Sequence, residues 1–440
     1  MKKTTFPLVF SLSLLLALAA CGDRANLPIR EGMGPQPALP KPVKTLIPTV
    51  NVLEARGWAE GARPEAANGF TVKAFAVGLS HPRWLYTLPN GDVLVAETNA
   101  PAKPVSGIRG WITKKVMQRA GADVASANRI TLLRDANGDG VAEIRRTFLE
   151  NLNSPFGMAL IGNDFYVANA DAVMRFPYQQ DETSISAPGT KVADLPGGPI
   201  NHHWTKNIIA SLDGSKLYAT VGSNSNIGEN GMENEENRAA ILEIDLKTGE
   251  VKPFATGLRN PNGMDWQPES GELWTVVNER DELGNDLVPD YLTSVKQGGF
   301  YGWPYSYYGQ HVDTRVQPQK PELVEKAIAP DYALGSHTAS LGLTFYQGKL
   351  LPERYRGGAF IGQHGSWNRM PVSGYKVIFV PFENGQPSGE AEDILTGFVN
   401  TEVEIAYGRP VGVIEDRAGA LLVADDVGNT IWRVTPSATP

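Results

Sequence analysis

The sequence predicts an all-β protein, a six-bladed β-propeller with an N-terminal lipoprotein signal and an extended arm, and three observations carry the fold. A loosely repeated unit recurs after Gly69: a Pro or Gly break, a short apolar strand, a turn containing Gly or Asn-Asp, then a strand of alternating apolar residues. Six copies align, beginning at Leu79 (LSHPRWLYTLPNGDVLVAET), Asn153, His202, Arg259 (RNPNGMDWQPESGELWTVVNE), Ser340 and Gly408. The composition, with 46 Gly, 32 Pro and 9 Trp in 440 residues, suits many short strands joined by tight turns. Units of roughly forty residues made of short strands bury their faces only against neighbouring units, which is the propeller's solution.

Before the repeats the chain carries an address. Lys2 and Lys3 precede an apolar run from Phe6 to Ala20, and Leu18-Ala19-Ala20-Cys21 has the small residues of a cleavage site. Cys21 is the single cysteine, so no disulfide forms within the chain, and its position marks it as a lipid attachment point. The apolar run is short for a membrane span. Residues 1–20 are therefore expected to be a lipoprotein signal peptide. Residues 21–68, with Pro28, Pro35, Pro37, Pro40, Pro42 and Pro48, read as a tether or arm without regular structure, and residues 69–436 as the propeller. The expected location is the periplasm, tethered to the outer membrane because Gly22 rather than Asp follows the cysteine, with membrane contact only through the lipid.

A net charge of −8 speaks against a nucleic-acid partner, and 42 % hydrophobic with 20 % charged residues is ordinary for a soluble globular protein. Two segments stand outside the repeats. Ile108 to Ala120 has apolar residues at helical spacing and predicts a short helix. Asp135, Asn137, Asp139 and Gly140 open like an EF-hand loop, but its twelfth position is Arg146 rather than Glu, so a plain hairpin turn is expected.

In a propeller the breaks before the innermost strands ring one mouth of the central channel, so side chains distant in sequence converge there. His202 and His203 stand at one break, and a His held by a partner is the natural base near neutral pH, although such a pair is often structural. Arg259 and Asn260 stand at the next. Arg369 and Arg409 occupy corresponding places further on, and three arginines at one mouth favour a polyanionic ligand, with pairing to Asp425 or Asp426 as the alternative. Trp367 either stacks on a planar ring or fills the core. The strand Leu273 to Val277 ends in the oxygen-rich run Asn278, Glu279, Arg280, Asp281 and Glu282.

Arg259-Asn260-Pro261-Asn262-Gly263-Met264 and Gly298-Gly299-Phe300-Tyr301-Gly302-Trp303-Pro304 carry a resemblance to the sorbosone and soluble glucose dehydrogenase family. That resemblance spans nearly all of residues 70–436 and implies a six-bladed propeller binding pyrroloquinoline quinone (PQQ) and Ca²⁺. It implies a PQQ-dependent oxidoreductase acting on a sugar or a sugar-derived aldehyde or alcohol and passing electrons to an external acceptor. Carried over, it makes His203 the base and Arg259 the residue that polarises the quinone, with Asn260 beside it. Arg369 and Arg409 would hold the PQQ carboxylates near Trp367, and Arg280 and Asp281 would offer backbone carbonyls to calcium. Two other readings keep the propeller: a calcium-dependent lactonase using Asn224, Asn278, Glu279 and Asp281, or a tethered binding module without catalysis.

Overall fold

The computed structural model describes residues 24–45, 49–102 and 107–437, so the predicted signal segment and Cys21 lie outside the described residues. Six antiparallel sheets of four or five strands follow one another along the chain. They begin with the strands Pro82–Thr87, Met158–Ile161, Ile208–Ala210, Pro261–Trp266, Ser340–Phe345 and Pro410–Glu415. These six strands pack side by side in sequence order, and the last packs on the first, which closes a ring. The all-β expectation is thus met.

The core follows from that closure. Each of six large apolar clusters lies between two consecutive sheets: Trp84, Leu132, Phe156 and Phe165 join the first and second, and Trp274, Leu292, Leu343 and Ile361 join the fourth and fifth. The ring closes on Phe75, Leu85, Val95, Leu422 and Ile431. Strands such as Leu273–Val277, buried along their whole length, read as apolar and β-branched because both faces are covered. Where first strands meet, backbone touches backbone. A Cβ on Gly342 would sit 2.1 Å from the Val411 carbonyl oxygen, so only glycine fits there.

Phe70–Ala76 closes the sixth sheet, pairing with Thr430–Pro436 (Val72 opposite Val434, Ala74 opposite Trp432). The first and last strands of the ring thus meet in one sheet. The arm before it is more ordered than its proline content suggests. Met33–Gly34 pairs with Tyr332–Ser336, Glu54–Ala55 runs parallel to Ile405–Ala406, and Glu65–Ala66 adds to Glu392–Thr396. Outer strands present unpaired N–H and C=O groups, and the arm covers them. The predicted helix spans Gly107–Arg119. In the predicted turn, Asp135 accepts the Gly138 and Gly140 N–H groups and Glu143 accepts that of Ala136.

Pairing also sets the rim. Within the sheets, first strands begin where second strands end: Pro82 faces Glu97, Pro261 faces Val277, Ser340 faces Gln363 and Pro410 faces Asp425. Residues just before the former and just after the latter therefore share one end of the ring.

Candidate functional site

His203 sits on that end, on the irregular segment before Ile208–Ala210. Its Nδ1 lies 2.8 Å from the Ser223 carbonyl oxygen, so Nδ1 carries the proton and Nε2 is left as the acceptor. Burial, then the Arg259 charge, His202 and Lys206, hold its pKa well below the ordinary 6.5 against the pull of that carbonyl. The imidazole is neutral at pH 7. Behind it, Gly222 leaves room for the Asn260 side chain: a Cβ there would sit 2.3 Å from Asn260 Oδ1 and 2.6 Å from the His203 Cβ. Asn260 Oδ1 is buried and has no hydrogen-bond partner among the described residues.

Arg259 is buried and fixed by the second-strand exit and by Asn226. It donates to the Glu279 carbonyl at 2.7 Å and to Asn226 Oδ1 at 3.0 Å, and pairs with Asp281 at 3.4 Å. Trp303, from the GGFYGWP segment, donates its Nε1 to the Asn226 carbonyl at 2.9 Å, which explains why that segment accompanies the Arg-Asn break. Asp281 continues the network: its Oδ1 accepts from Asn368 at 2.8 Å and lies 3.3 Å from His337 Nδ1. Burial pushes the Asp281 carboxyl up, but the His337 hydrogen bond and the Arg259 charge outweigh it and hold it at about 2. Burial likewise pulls His337 down, and Asp281 overrides it, so its pKa is raised.

A second group occupies the rim of the first, fifth and sixth sheets. Asp426 accepts from Arg83 at 2.7 Å and from His364 Nε2 at 2.8 Å, and lies 3.5 Å from His81 Nε2. Burial and Arg409 push His364 down to about 3 despite Asp426. Arg409 donates to the carbonyls of His364 and Gly365 and stands over the Tyr375 ring. Arg83 stands over the ring of Trp204, next in sequence to His203, which joins the two groups. His81 Nε2, Arg83 Nε and Asp426 Oδ1 are buried without a hydrogen-bond partner among the described residues. Buried orphans of this kind call for a ligand or ordered water.

Of the sequence-predicted residues, His203, Arg259, Asn260 and Arg409 lie on the shared rim. Arg369 is on it too, but it donates to the carbonyls of Asn285 and Pro371 and faces Asp286, bracing the loop beneath the arm. Trp367 is exposed rather than core, its carbonyl bonded to Asn51 of the arm. Arg280 and Asp281 do not suit calcium. The Arg280 side chain, fully buried, bonds Glu279, Asp313 and the carbonyls of Pro304 and Ser306. The Asp281 carbonyl already accepts from Asn226 and from the Arg315 guanidinium at 3.0 Å, and a dication would meet three arginines there. In the lactonase arrangement Asp281 is paired with Arg259, and Glu279 Oε2 with Arg280. Among the described residues the one carboxylate group with metal-like spacing is Asp135, Asp139 and Glu143, away from the rim.

Sequence reasoning missed His81, Arg83, Asn226, His337 and His364. The criterion that singled out His203, position at a repeat boundary, applies equally to His81 and His337 before first strands and to His364 after a second strand.

Comparison with known proteins adds a family. The family model for Glucose / Sorbosone dehydrogenase matches residues 79–370, and a TrAA12-like model matches residues 311–437. An uncharacterized protein of Borreliella burgdorferi is 30% identical over 298 residues, 66% of this chain and 77% of that protein. A pyrroloquinoline quinone-dependent pyranose dehydrogenase of Coprinopsis cinerea is 23% identical over 450 aligned residues, covering 85% of this chain but 55% of the relative. In structure the chain is similar to the holo form of the pyranose dehydrogenase PQQ domain from Coprinopsis cinerea, with a TM-score of 0.68, 19% identity, and 87% and 100% of the two chains covered. It is also similar to the PQQ-bound aldose sugar dehydrogenase of Streptomyces coelicolor, with a TM-score of 0.55, 16% identity, and 85% and 100% covered. At these identities the structural likeness speaks for the fold alone.

Proposed function

Because the chain belongs to the glucose/sorbosone dehydrogenase family, we propose that it is a PQQ-dependent oxidoreductase of a sugar or a sugar-derived aldehyde or alcohol, built on a six-bladed β-propeller whose blades are the six sheets. The observation that carries this reading is the Ser223 carbonyl on His203 Nδ1, which leaves Nε2 of a neutral imidazole beside Arg259. A base near a fixed cation on a channel rim suits removal of a hydroxyl proton as the adjoining carbon is oxidised.

The rim fits a flat tricarboxylate. Arg409, which donates to carbonyls, stands beside Arg83 and Arg259, which are paired with Asp426 and Asp281; the orphaned Nε of Arg83 is an unused donor, and guanidinium forks match carboxylates. PQQ, when bound, supplies the two-electron acceptor. His203 takes the substrate proton at Nε2, Arg259 stabilises negative charge developing nearby, and Asn260 offers its unpaired amide. Arg409 and Arg83 hold carboxylates, with Trp367 exposed for ring contact. Calcium is not assigned to the Arg280–Asp281 backbone. We further propose export as a lipoprotein held at Cys21, in the periplasm, with an external electron acceptor.

Adding PQQ to the purified protein and screening aldoses, sorbosone and simple alcohols with an artificial acceptor tests the reading. Quinone binding with sugar-dependent dye reduction is expected, and His203→Ala should retain quinone binding while losing about 10²- to 10⁴-fold in turnover. No spectral change on adding quinone would favour the binding module. Unchanged turnover in the variant would remove His203 from its role.

A further inference from the structure

The start of the arm is tied to the same end of the ring as the site. The Ala25 N–H donates to the Met370 carbonyl at 2.8 Å and the Asn26 N–H to Asp286 Oδ2 at 2.7 Å. Met370 follows Arg369 on the rim, and Asp286 faces that arginine. Cys21 stands four residues before Ala25, and four residues reach at most about 14 Å. A bilayer that takes a lipid on Cys21 is thereby drawn to the site end. The surfaces of the two ends also differ. Turns joining first to second strands, or third to fourth, lie opposite the site, and their exposed large apolar side chains are Val141, Leu212 and Leu350, on three different sheets. Isolated residues of that kind need no partner. On the site end Val43, Val50, Trp111 and Met117 are exposed, and the arm links their segments. The Val43 N–H donates to the Leu283 carbonyl at 2.9 Å, and the Asn51 N–H to the Trp367 carbonyl at 2.7 Å. Arg119, closing the helix Gly107–Arg119, donates to the Val52 carbonyl at 2.8 Å.

Charge adds to this. In a chain of net charge −8, that helix contains Arg109, Lys114, Lys115 and Arg119 and no acidic residue, and Lys115 stands over the Trp111 ring. Lys114 lies 3.9 Å from Asp123 and Arg119 3.4 Å from Glu404, whereas Lys115 and, on the arm, Lys41 and Lys44 are exposed without an ion pair among the described residues. Tryptophan among lysines suits the headgroup layer of a membrane. Among the described residues no helix is long and apolar enough to cross a bilayer, so contact is at its surface. We propose that the site end of the ring docks on a bilayer bearing anionic headgroups, through the helix and the arm, so that the channel mouth opens toward the membrane. This rests on lipid attachment at Cys21. The lipid supplies the affinity, and the exposed apolar and basic side chains decide which way the molecule faces.

Cys21 is the single cysteine and the lipid occupies its thiol, so one introduced cysteine can be labelled in the lipidated protein. Thr45→Cys and Gln118→Cys report the site end, Val141→Cys and Leu212→Cys the opposite end, and all four positions are exposed. Each fluorescent protein is reconstituted into vesicles of phosphatidylethanolamine and phosphatidylglycerol carrying a headgroup quencher. Labels at the site end should be quenched several-fold more than those at the opposite end. Lys41→Gln, Lys44→Gln, Lys114→Gln and Lys115→Gln together should abolish that contrast, each lost charge weakening the docked state about fivefold near an anionic surface. Equal quenching at both ends overturns the proposal, as does a contrast that survives loss of the four lysines. Site-end labels shielded from a water-soluble reagent but untouched by the lipid quencher also overturn it, since a second copy or a protein partner would then cover that face. Intact mass reads the lipid separately: a chain without it sinks anchor and docking together, whereas a lipidated chain quenched equally at both ends sinks docking alone. Neither readout involves PQQ, so the dehydrogenase reading is tested apart.

Discussion

His337 and Asp281 show how much of the rim is held by charge at single residues. His337 gives Nε2–H to the Gly284 carbonyl at 3.0 Å and faces Asp281 with Nδ1, so both nitrogens act as donors. Its raised pKa means that its contribution is complete below 6.5 and fades as pH climbs through the folded value. Asp281, held at about 2, contributes above 3.8 and loses that contribution as pH falls toward 2. The pair thus stabilises the fold most between those limits. His337→Gln is expected to cost about 3 kcal/mol near pH 5, the scale for breaking one side of a buried pair, and less at pH 8. Thermal melts at both pH values check this, and an equal loss at both would refute it. His203 was legible because it stands at a repeat boundary. Its partner Ser223, 20 residues away, was not, and neither was the burial of the Arg280 side chain, whose second carboxylate partner, Asp313, lies 33 residues downstream.

At the scale of elements, local pattern and packing agree along the first strands. The breaks before Pro261 and Pro410 and the run Leu273–Val277 appear where alternation and turn residues place them. What pattern could not show is why a glycine recurs just inside these strands. Gly342 answers it, because the neighbouring first strand passes at backbone distance. Gly342→Ala should destabilise the protein by about 2 kcal/mol through forced separation of those strands. Urea unfolding measures this, and a variant within about 0.5 kcal/mol of the wild type, the range of an innocuous surface change, would show that the strands can part freely. The arm is the element that local rules misjudged. Its short strands have no pattern of their own and form because sheet edges offer partners.

For the molecule as a whole, stability depends on closing the ring. Phe70–Ala76 supplies the last strand of the sixth sheet, and Phe75 also fills the cluster against the first. A chain beginning at Gly69 keeps this strand, whereas one beginning at Leu79 loses it and exposes the edge of Thr430–Pro436. The longer version should stay soluble and unfold cooperatively, and the shorter should aggregate, as size-exclusion chromatography and melting would show. A monomeric short version with an unchanged Tm would mean the ring does not need its closing strand. The arm also runs beside the site, with Asn51 on Trp367 and Arg369 and with Trp58 donating to Asp425 at 2.7 Å.

Residue order alone settled the fold class, the repeat boundaries, the helix near residue 110 and the family, because turn chemistry and strand alternation are local and the RNPNG and GGFYGWP segments are contiguous. Which charges face which was decided only in three dimensions. A buried guanidinium takes whichever carboxylates and carbonyls folding brings within reach. At this rim those come from different sheets, so Asp426 joins His81, Arg83 and His364, and Asp281 joins Arg259 to His337, across separations that no sequence window spans.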